Sequence, residues 1–327
     1  MNQTSLVNEL NGKSSNKAFI KDFETNQKLT NEQYAIKSLR HGITANGKSY
    51  IDLVLTDKSG EVAGKIWENN IDNCQKTEIG KVVEISGSVD EFRDKHQVNI
   101  SFLQNCEKFD LSNFLPTSTK DLDLLWKTIL ANIKMVKDKN LKKLLQNFFD
   151  DSEFTEQFRK APGAEFIHHA YIGGLMEHVV EMLNLANTIL IDNEDLDKDL
   201  LITGVLLHDI GKMQELAVEH TIYRTIEGTL AGHISLGTIE IDKQIATIKN
   251  FPRELRAKIL NIILSHHERL EFGSPVRPMT PEAFALCYID NLSAKVNTAR
   301  KVVNDNQNSD AEYSDKNFAL DTKLFLK

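Results

Sequence analysis

The sequence predicts a multidomain α and β protein, in which a five-stranded β-barrel at the N-terminus precedes an all-helical domain. Two patterns divide the 327 residues in this way. Up to about residue 110, runs rich in β-branched and aromatic residues alternate with turn-forming residues. Beyond about residue 121, apolar residues recur at every third or fourth position, as along one face of a helix. The length suits two domains, since one domain commonly takes roughly 100–200 residues.

Five strands and one short helix are expected in the first region. The strands, in chain order, fall within 18–40 and at 50–57, 60–68, 81–92 and 96–104. The sequence DKSG forms the turn between the second and third strands, and RDK separates the last two. Residues 69–80 have room for the short helix. Five strands with a helix between the third and the fourth are the order of an OB-fold barrel.

Composition sets the remaining boundaries. Pro116 and its Ser/Thr neighbours in LSNFLPTSTKD mark a linker after the barrel. The expected parts are a flexible N-terminus at 1–16, the OB-fold domain at 17–110, a linker and helical connector at 111–160, the helical domain at 161–303 and a polar tail at 304–327. Helices are expected at 172–191, 198–209, 234–248, 252–267 and 281–303.

The overall composition excludes several classes of protein. No basic and apolar leader opens the chain, and no apolar run approaches the roughly 18 residues of a membrane span, so a cytoplasmic protein without a membrane partner is expected. The three cysteines are scattered, which argues against disulfides or a cysteine-based zinc site. The net charge of −8 is unusual for a protein that binds nucleic acid. Two divalent cations would neutralise most of the excess of acidic residues in 166–300.

Histidine and aspartate follow a distinctive order in the helical region. The motifs are HHAYIGGLMEH (168–178), LLHDIGK (206–212), GHISLG (232–237) and LSHHE (264–268), followed by Asp290 within an apolar helix. A single histidine on a helix is more often a hydrogen-bonded structural residue than a ligand. An aspartate on an apolar face, however, is costly to bury unless a cation or a partner compensates it. Imidazole and carboxylate without thiolate favour Mn, Fe, Co, Ni or Zn.

This order resembles the HD-domain phosphohydrolases, an all-helical superfamily. The resemblance implies that His178, His208, Asp209 and Asp290 bind a first metal ion. It also implies that His233 and His266 bind a second ion, and that Asp209 bridges the two. His267 fits the second position of the histidine pair, as a ligand or as a contact to phosphate or water. Family members with three ions have Glu four residues before the first ligand. Gly174 occupies that position here, so two ions are expected.

The domain order adds a second resemblance. An OB-fold followed by this motif set resembles the YhaM-type 3′-to-5′ exoribonucleases over about residues 17–300. The resemblance implies release of nucleoside 5′-monophosphates from single-stranded RNA by metal-activated hydroxide attack on the 3′-terminal phosphodiester. It favours Mn²⁺ as the cofactor, with Co²⁺, Fe²⁺, Ni²⁺ and Zn²⁺ left open. Single-stranded DNA as a second substrate and assembly into a homo-oligomer are also left open.

Several further residues are candidates for contacts with the substrate. Lys212 lies one turn after Asp209 and suits a phosphate oxygen in catalysis, although a lysine at a helix end also offsets the helix dipole. His168, His169 and Tyr171 precede the first ligand and either line the substrate pocket or cap the helix. Tyr50 and Trp67, near strand ends, are the candidates for stacking on bases in the barrel.

Two other functions remain open from the sequence. The chain could be a single-strand-binding, replication-associated module whose HD site is weak or regulatory, although the intact ligand set argues against this. It could also be a phosphodiesterase acting on small cyclic nucleotides, although the GYP segment of those enzymes is absent after the histidine pair.

Overall fold

A computed structural model describes residues 17–92, 95–110, 113–115, 117–165, 169–219, 222–307 and 309–327. The described chain forms two compact units. One contains the described residues between 17 and 115 together with Glu219, and the other consists of Thr117–Val218 and Ile222–Lys327. The helical unit therefore begins at Thr117, inside the stretch 111–160 that the sequence assigns to a linker and helical connector.

The first unit is a closed five-stranded barrel, which confirms the predicted fold. Its strands are β1 (Lys28–Ile43), β2 (Ser49–Asp57), β3 (Gly60–Trp67), β4 (Val82–Phe92) and β5 (Lys95–Asn105). They pair in the order β1-β2-β3-β5-β4, and a 3₁₀ turn at Glu68–Asn73 lies between β3 and β4, where the short helix was expected. This is the topology of an OB-fold.

Strand β1 begins inside the expected stretch 18–40 but continues to Ile43, past the end of that stretch. Its first half pairs with β4 and its second half with β2, and the register shifts once in each pairing. Asn31 has a positive φ of 54° at one of these irregularities. Such bulges bend a strand and let it serve two neighbours in a closed barrel. They also interrupt the strict alternation that would have revealed the strand in the sequence.

The second unit is built from helices around one apolar core, as predicted for an HD domain. The helices are α1 (Leu122–Met135), α2 (Lys139–Phe149), α3 (Ser152–Lys160), α4 (Gly174–Asp192), α5 (Lys198–Leu207), α6 (Lys212–Glu215), α7 (Ile226–Thr247), α8 (Arg253–Ser265) and α9 (Pro281–Asp305). Asp or Thr side chains cap the N-termini of α1, α2, α3, α5, α7 and α9. The connector helices α1–α3 bury apolar residues in the same core as α4 and α5.

Two short β elements in this unit were not predicted. Strands β6 (Leu216–Val218) and β7 (Ile222–Arg224) form a two-stranded sheet between α6 and α7. In the C-terminal tail, two antiparallel bridges join Tyr313 to Phe325 and Asn317 to Thr322. Both elements are short, so neither carries enough alternating residues to be recognised in the sequence. Among the described residues, no helix combines the length and the apolar character that a bilayer crossing requires.

Candidate metal centre

The predicted ligands come from five helices or helix ends. His178 lies within α4, and Asp290 lies within α9. His208 follows the last residue of α5, with Asp209 next to it, and His266 follows the last residue of α8. His233 lies in α7, one residue after Gly232, whose φ of 70° kinks the helix. The apolar residues of these helices form the buried core, which holds the polar helix ends at a common point.

Gly211 allows α7 to approach the segment that carries His208 and Asp209. A Cβ atom placed on Gly211 would lie 2.0 Å from the backbone oxygen of His233 and 2.6 Å from the backbone nitrogen of Gly237. The φ of Gly211 is −62°, which any residue can adopt. The glycine of the LLHDIGK motif is therefore needed because two backbones pack closely there, and not because of its conformation.

The side chains that converge here form two groups, each able to hold a metal ion. One group is His178, His208 and Asp290, and the other is His233, His266 and His267. Within each group, one potential ligand atom per residue lies within 4.8 Å of the others. The structure thus brings together every predicted metal-binding residue.

Asp209 lies between the two groups. Its Oδ2 atom is 3.2 Å from Nε2 of His208 and 3.8 Å from Nε2 of His178. Its Oδ1 atom is 3.5 Å from Nε2 of His233 and 3.6 Å from Nε2 of His266. One carboxylate oxygen therefore faces each group, which is the arrangement of a bridging ligand.

The bonding within the cluster fits divalent ions. Nε2 of His208, His233 and His266 and Oδ1 of Asp209 are buried and have no hydrogen-bond partner in the described part of the chain. Leaving buried polar atoms unsatisfied costs free energy, about 1–3 kcal/mol for each group. Four such atoms pointing into one cluster of nitrogen and oxygen donors match the ligand chemistry of Mn, Fe, Co, Ni or Zn.

Backbone carbonyls orient three of the histidines. Nδ1 of His208 donates to the carbonyl of Val205 at 2.9 Å, and Nδ1 of His266 donates to that of Ile263 at 2.7 Å. Nδ1 of His267 donates to Phe272 O at 2.9 Å. Because a carbonyl can only accept, each ring carries its proton on Nδ1. The Nε2 lone pair is then left for a metal ion.

A serine and a glutamate support His178 in the first group. Nδ1 of His178 lies 3.2 Å from Oγ of Ser293, and this hydroxyl donates to Oε2 of Glu181 at 3.1 Å. Lys120 Nζ lies 2.9 Å from the other oxygen of Glu181. Burial opposes ionisation of Glu181, but His169 and Lys120 lower its pKa to about 2. The chain of contacts therefore ends in a fixed negative charge behind His178.

The electrostatics of most of the cluster favour the protonation states that metal binding needs, whereas Asp209 raises the pKa of His208 against the effect of burial. Burial would raise the pKa of Asp209, but the Lys212 ammonium and His208 hold it well below its usual range. The pKa of Asp290 is likewise depressed, mainly by His178, against the effect of burial. Burial lowers the pKa of His266 and, together with the charge of His266, lowers that of His267 to about 4. Ionised carboxylates and neutral imidazoles are the ligand forms at neutral pH.

Lys212 lies directly beside the cluster, as the sequence predicted. Its Nζ is 2.7 Å from Oδ2 of Asp209, and its side chain is only 10% exposed. Lys212 is the first residue of α6, and the short turn between Asp209 and this helix brings its side chain back to Asp209. The ammonium is the group through which a phosphate oxygen could be held next to the ions.

The candidate substrate residues before α4 differ in how far their side chains are buried. His168 lies outside the described residues. His169 is buried, with Nδ1 2.9 Å from the Tyr171 hydroxyl and Nε2 3.3 Å from Glu181. Its burial argues against the expected contact between His169 and a substrate. Tyr171 is half-buried beside it.

Gly174 has no room for a side chain. A Cβ atom there would lie 1.9 Å from the backbone oxygen of His169 and 3.0 Å from the backbone nitrogen of Gly163. A glutamate that could reach a third ion is therefore excluded by the local backbone.

In the barrel, Tyr50 and Trp67 are cross-strand partners on β2 and β3. Their ring centroids are 6.2 Å apart, and Lys65 Nζ lies 4.4 Å from the Tyr50 ring and 4.7 Å from the Trp67 ring. Trp67 is 40% exposed, and its indole N–H donates to Oδ1 of Asn99 at 3.1 Å. Tyr50 lies across Gly42, where a Cβ would come within 2.3 Å of the ring. The pair and Lys65 form an ordered aromatic and basic patch.

Three supporting residues were not predicted from the sequence: Glu181, Ser293 and Glu215. Glu181 follows His178 by three residues and Ser293 follows Asp290 by three, so each shares a helix face with a predicted ligand. This spacing of three residues could have indicated both positions from the sequence. Glu215 contacts Nδ1 of His233 at 3.0 Å, a pairing across 18 residues that no local pattern reveals.

Comparison with known proteins agrees with these observations. The family model for the HD domain matches residues 175–295. The 3′-5′ exoribonuclease YhaM of Bacillus pumilus (strain SAFR-032) is 34% identical over 295 residues, which cover 89% of this chain and 92% of that protein. The 3′-5′ exoribonuclease YhaM of Bacillus subtilis (strain 168) is 35% identical over 300 residues, which cover 90% of this chain and 94% of that protein.

The chain is also similar to a solved structure. The second OB-fold domain of replication protein A from Methanococcus maripaludis is 18% identical, with a TM-score of 0.24. The alignment covers 29% of this chain and 98% of that chain.

Proposed function

The chain belongs to the YhaM family of 3′-5′ exoribonucleases, and on this premise we propose how its two units carry out the reaction. The helical unit removes nucleoside 5′-monophosphates from the 3′ end of single-stranded RNA, using two divalent ions of which Mn²⁺ is the first choice. The barrel binds the single strand. Single-stranded DNA is a further substrate to be tested.

The observation that carries this proposal is the division of the cluster into two groups around Asp209. His178, His208 and Asp290 would hold the first ion, and His233, His266 and His267 would hold the second. Asp209 would contribute one oxygen to each. Bound ions at such a centre supply Lewis acidity and a nucleophile at neutral pH for in-line displacement at phosphorus.

The protein's own residues prepare this chemistry. The histidines keep their protons on Nδ1, so their Nε2 atoms face the cluster without a change of tautomer. Lys212 presents a buried ammonium beside Asp209, where it would bind an oxygen of the terminal phosphodiester and stabilise charge that develops there. Because Lys212 and Asp209 are buried, the electrostatic interaction of the ammonium with a phosphate oxygen would be stronger than in water.

A 5′-labelled single-stranded RNA incubated with the purified full chain tests the function. We expect a ladder of labelled products that shorten from the 3′ end, with nucleoside 5′-monophosphates as the released products. A panel of Mn²⁺, Co²⁺, Fe²⁺, Ni²⁺ and Zn²⁺ identifies the ion that supports the highest rate. A shifted but uncut band, or hydrolysis confined to small cyclic nucleotides, would contradict the proposal.

Replacing Trp67 by alanine tests the role of the barrel. Stacking of a base on an aromatic ring contributes about 1–3 kcal/mol, so the Kd for single-stranded RNA should rise about 5- to 150-fold. Fluorescence anisotropy of a labelled oligonucleotide measures this change. Trp67→Phe keeps an aromatic face and is the matched control, which should bind more tightly than Trp67→Ala. Equal binding by the wild-type chain and Trp67→Ala would exclude Trp67 from the RNA-binding surface.

A further inference from the structure

The two groups of the candidate centre differ in charge. The first contains a carboxylate of its own, Asp290, whose Oδ1 lies 3.1 Å from Nε2 of His178. The second consists of three imidazoles, His233, His266 and His267, and shares only Asp209 with the first. An ion in the second group therefore depends more strongly on the donor strength of its histidines.

Glu215 supplies a negative charge directly behind one of these histidines. Its Oε2 atom lies 3.0 Å from Nδ1 of His233, whereas His266 and His267 donate to backbone carbonyls. The glutamate is 4% exposed. A carboxylate that accepts the outer N–H of a ligating histidine fixes the ring and raises its basicity toward the ion.

The position of Glu215 is fixed from several sides. Its Oε1 atom lies 3.3 Å from Nη1 of Arg224, and its backbone oxygen accepts from the Thr225 N–H at 3.0 Å. A Cβ atom on Gly228 would lie 2.3 Å from that same backbone oxygen. Thr225 and Gly228 belong to the start of α7, the helix that carries His233. The carboxylate and the histidine are therefore held by the same part of the fold.

We propose that Glu215 is a positioning residue that selectively strengthens the second metal site through His233. It acts on the ion through the imidazole and does not itself contact the substrate. The inference rests on the proposed two-ion function, because it assigns a role to a residue outside either ligand group.

Titration of the metal-free full chain with Mn²⁺ alone, followed by calorimetry, tests this role. The variants are Glu215→Gln, which retains an acceptor but removes the charge, and Glu215→Ala, which removes both. One of the two Mn²⁺ binding events should weaken about 10- to 100-fold, with the larger change in Glu215→Ala. The other event should keep its wild-type affinity. Metal analysis at limiting Mn²⁺ should then find one ion per chain instead of two.

Glu282→Gln is the matched control. Glu282 is another buried carboxylate of the helical unit, and it accepts from the backbone N–H of Asp197. This variant should retain both binding events, and its thermal midpoint without metal shows how far loss of a buried carboxylate alone affects folding. A Glu215 variant that matches this control in stability but loses only one ion supports the positioning role.

Other results would overturn the inference. Both Glu215 variants could keep two ions at wild-type affinity, in which case Glu215 does not act on the second site. Equal weakening of both ions would show a general structural role instead. If the wild-type chain binds two ions and the Glu215 variants give either of these two results, the inference about Glu215 fails but the proposed function stands. A wild-type chain that binds no Mn²⁺ contradicts the proposed function itself.

Discussion

Replacing Asp209 by alanine should lower the rate of RNA hydrolysis by about 1000-fold or more, while RNA binding by the full chain changes little. Asp209 directs one oxygen toward each ligand group, so its loss removes a ligand from both ions. Stabilisation by metal ions contributes several kcal/mol to such reactions, and each 1.36 kcal/mol changes the rate tenfold. Single-turnover hydrolysis of labelled RNA measures the rate, and anisotropy measures binding.

Two further variants make this result specific. Asp209→Asn keeps the size of the side chain but not its charge, and it should be nearly as inactive as Asp209→Ala. Asp242→Asn alters a surface carboxylate that pairs with Arg256, and it should retain the wild-type rate. Wild-type activity in Asp209→Ala would refute the assignment of Asp209 as the shared ligand.

Replacing Gly211 by alanine should destabilise the helical unit by about 3 kcal/mol and weaken Mn²⁺ binding. The new methyl group would collide with the backbone of His233 and Gly237, and no side-chain rotation can relieve a clash between fixed backbones. Overpacking of a buried site typically costs about 1–3 kcal/mol. A loss of this size lowers the thermal midpoint of a unit this large by roughly 6–12 °C.

Gly60→Ala is the matched control for this substitution. At Gly60 the nearest atom to an added Cβ is Cγ2 of Ile20 at 3.8 Å, which is ordinary contact. That variant should melt within about 1 °C of the wild-type chain, because substitutions that create no strain usually change stability little. If Gly211→Ala melted like Gly60→Ala and bound Mn²⁺ normally, α7 would be free to move away from Gly211.

The barrel and the ligand positions could be predicted because their signals are local or follow the order of the chain. Strands β2 and β3 begin and end within one residue of the predicted positions, since regular alternation and a turn sequence define both. The histidines and aspartates were recognisable as a set because most lie near the end of an apolar helical run, and Asp290 lies within one. Charge and burial then leave few roles for such residues other than metal binding.

The parts that escaped prediction depend on contacts between distant segments. The close approach of α7 shows that Gly211 is needed because a side chain would not fit, and the sequence alone does not reveal this approach. From the sequence, Glu215 resembles an ordinary surface glutamate. In the structure it is enclosed by Arg224 and by the start of α7. The sequence left open whether His169 lines the pocket or caps the helix, and only its contacts with Glu181 and Tyr171 show that its side chain is buried. None of these arrangements has a characteristic spacing.

The hydrogen bonds from His208 and His266 to the carbonyls three residues earlier bear on the order in which the enzyme folds and binds metal. Because ordinary helix ends hold these rings, the chain should fold completely before it acquires any ion, unlike small zinc domains that fold only around their metal. Ions could then be exchanged in the native state. The identity of the working metal would follow the supply in the surroundings, and an enzyme loaded with a poor ion could be restored without refolding.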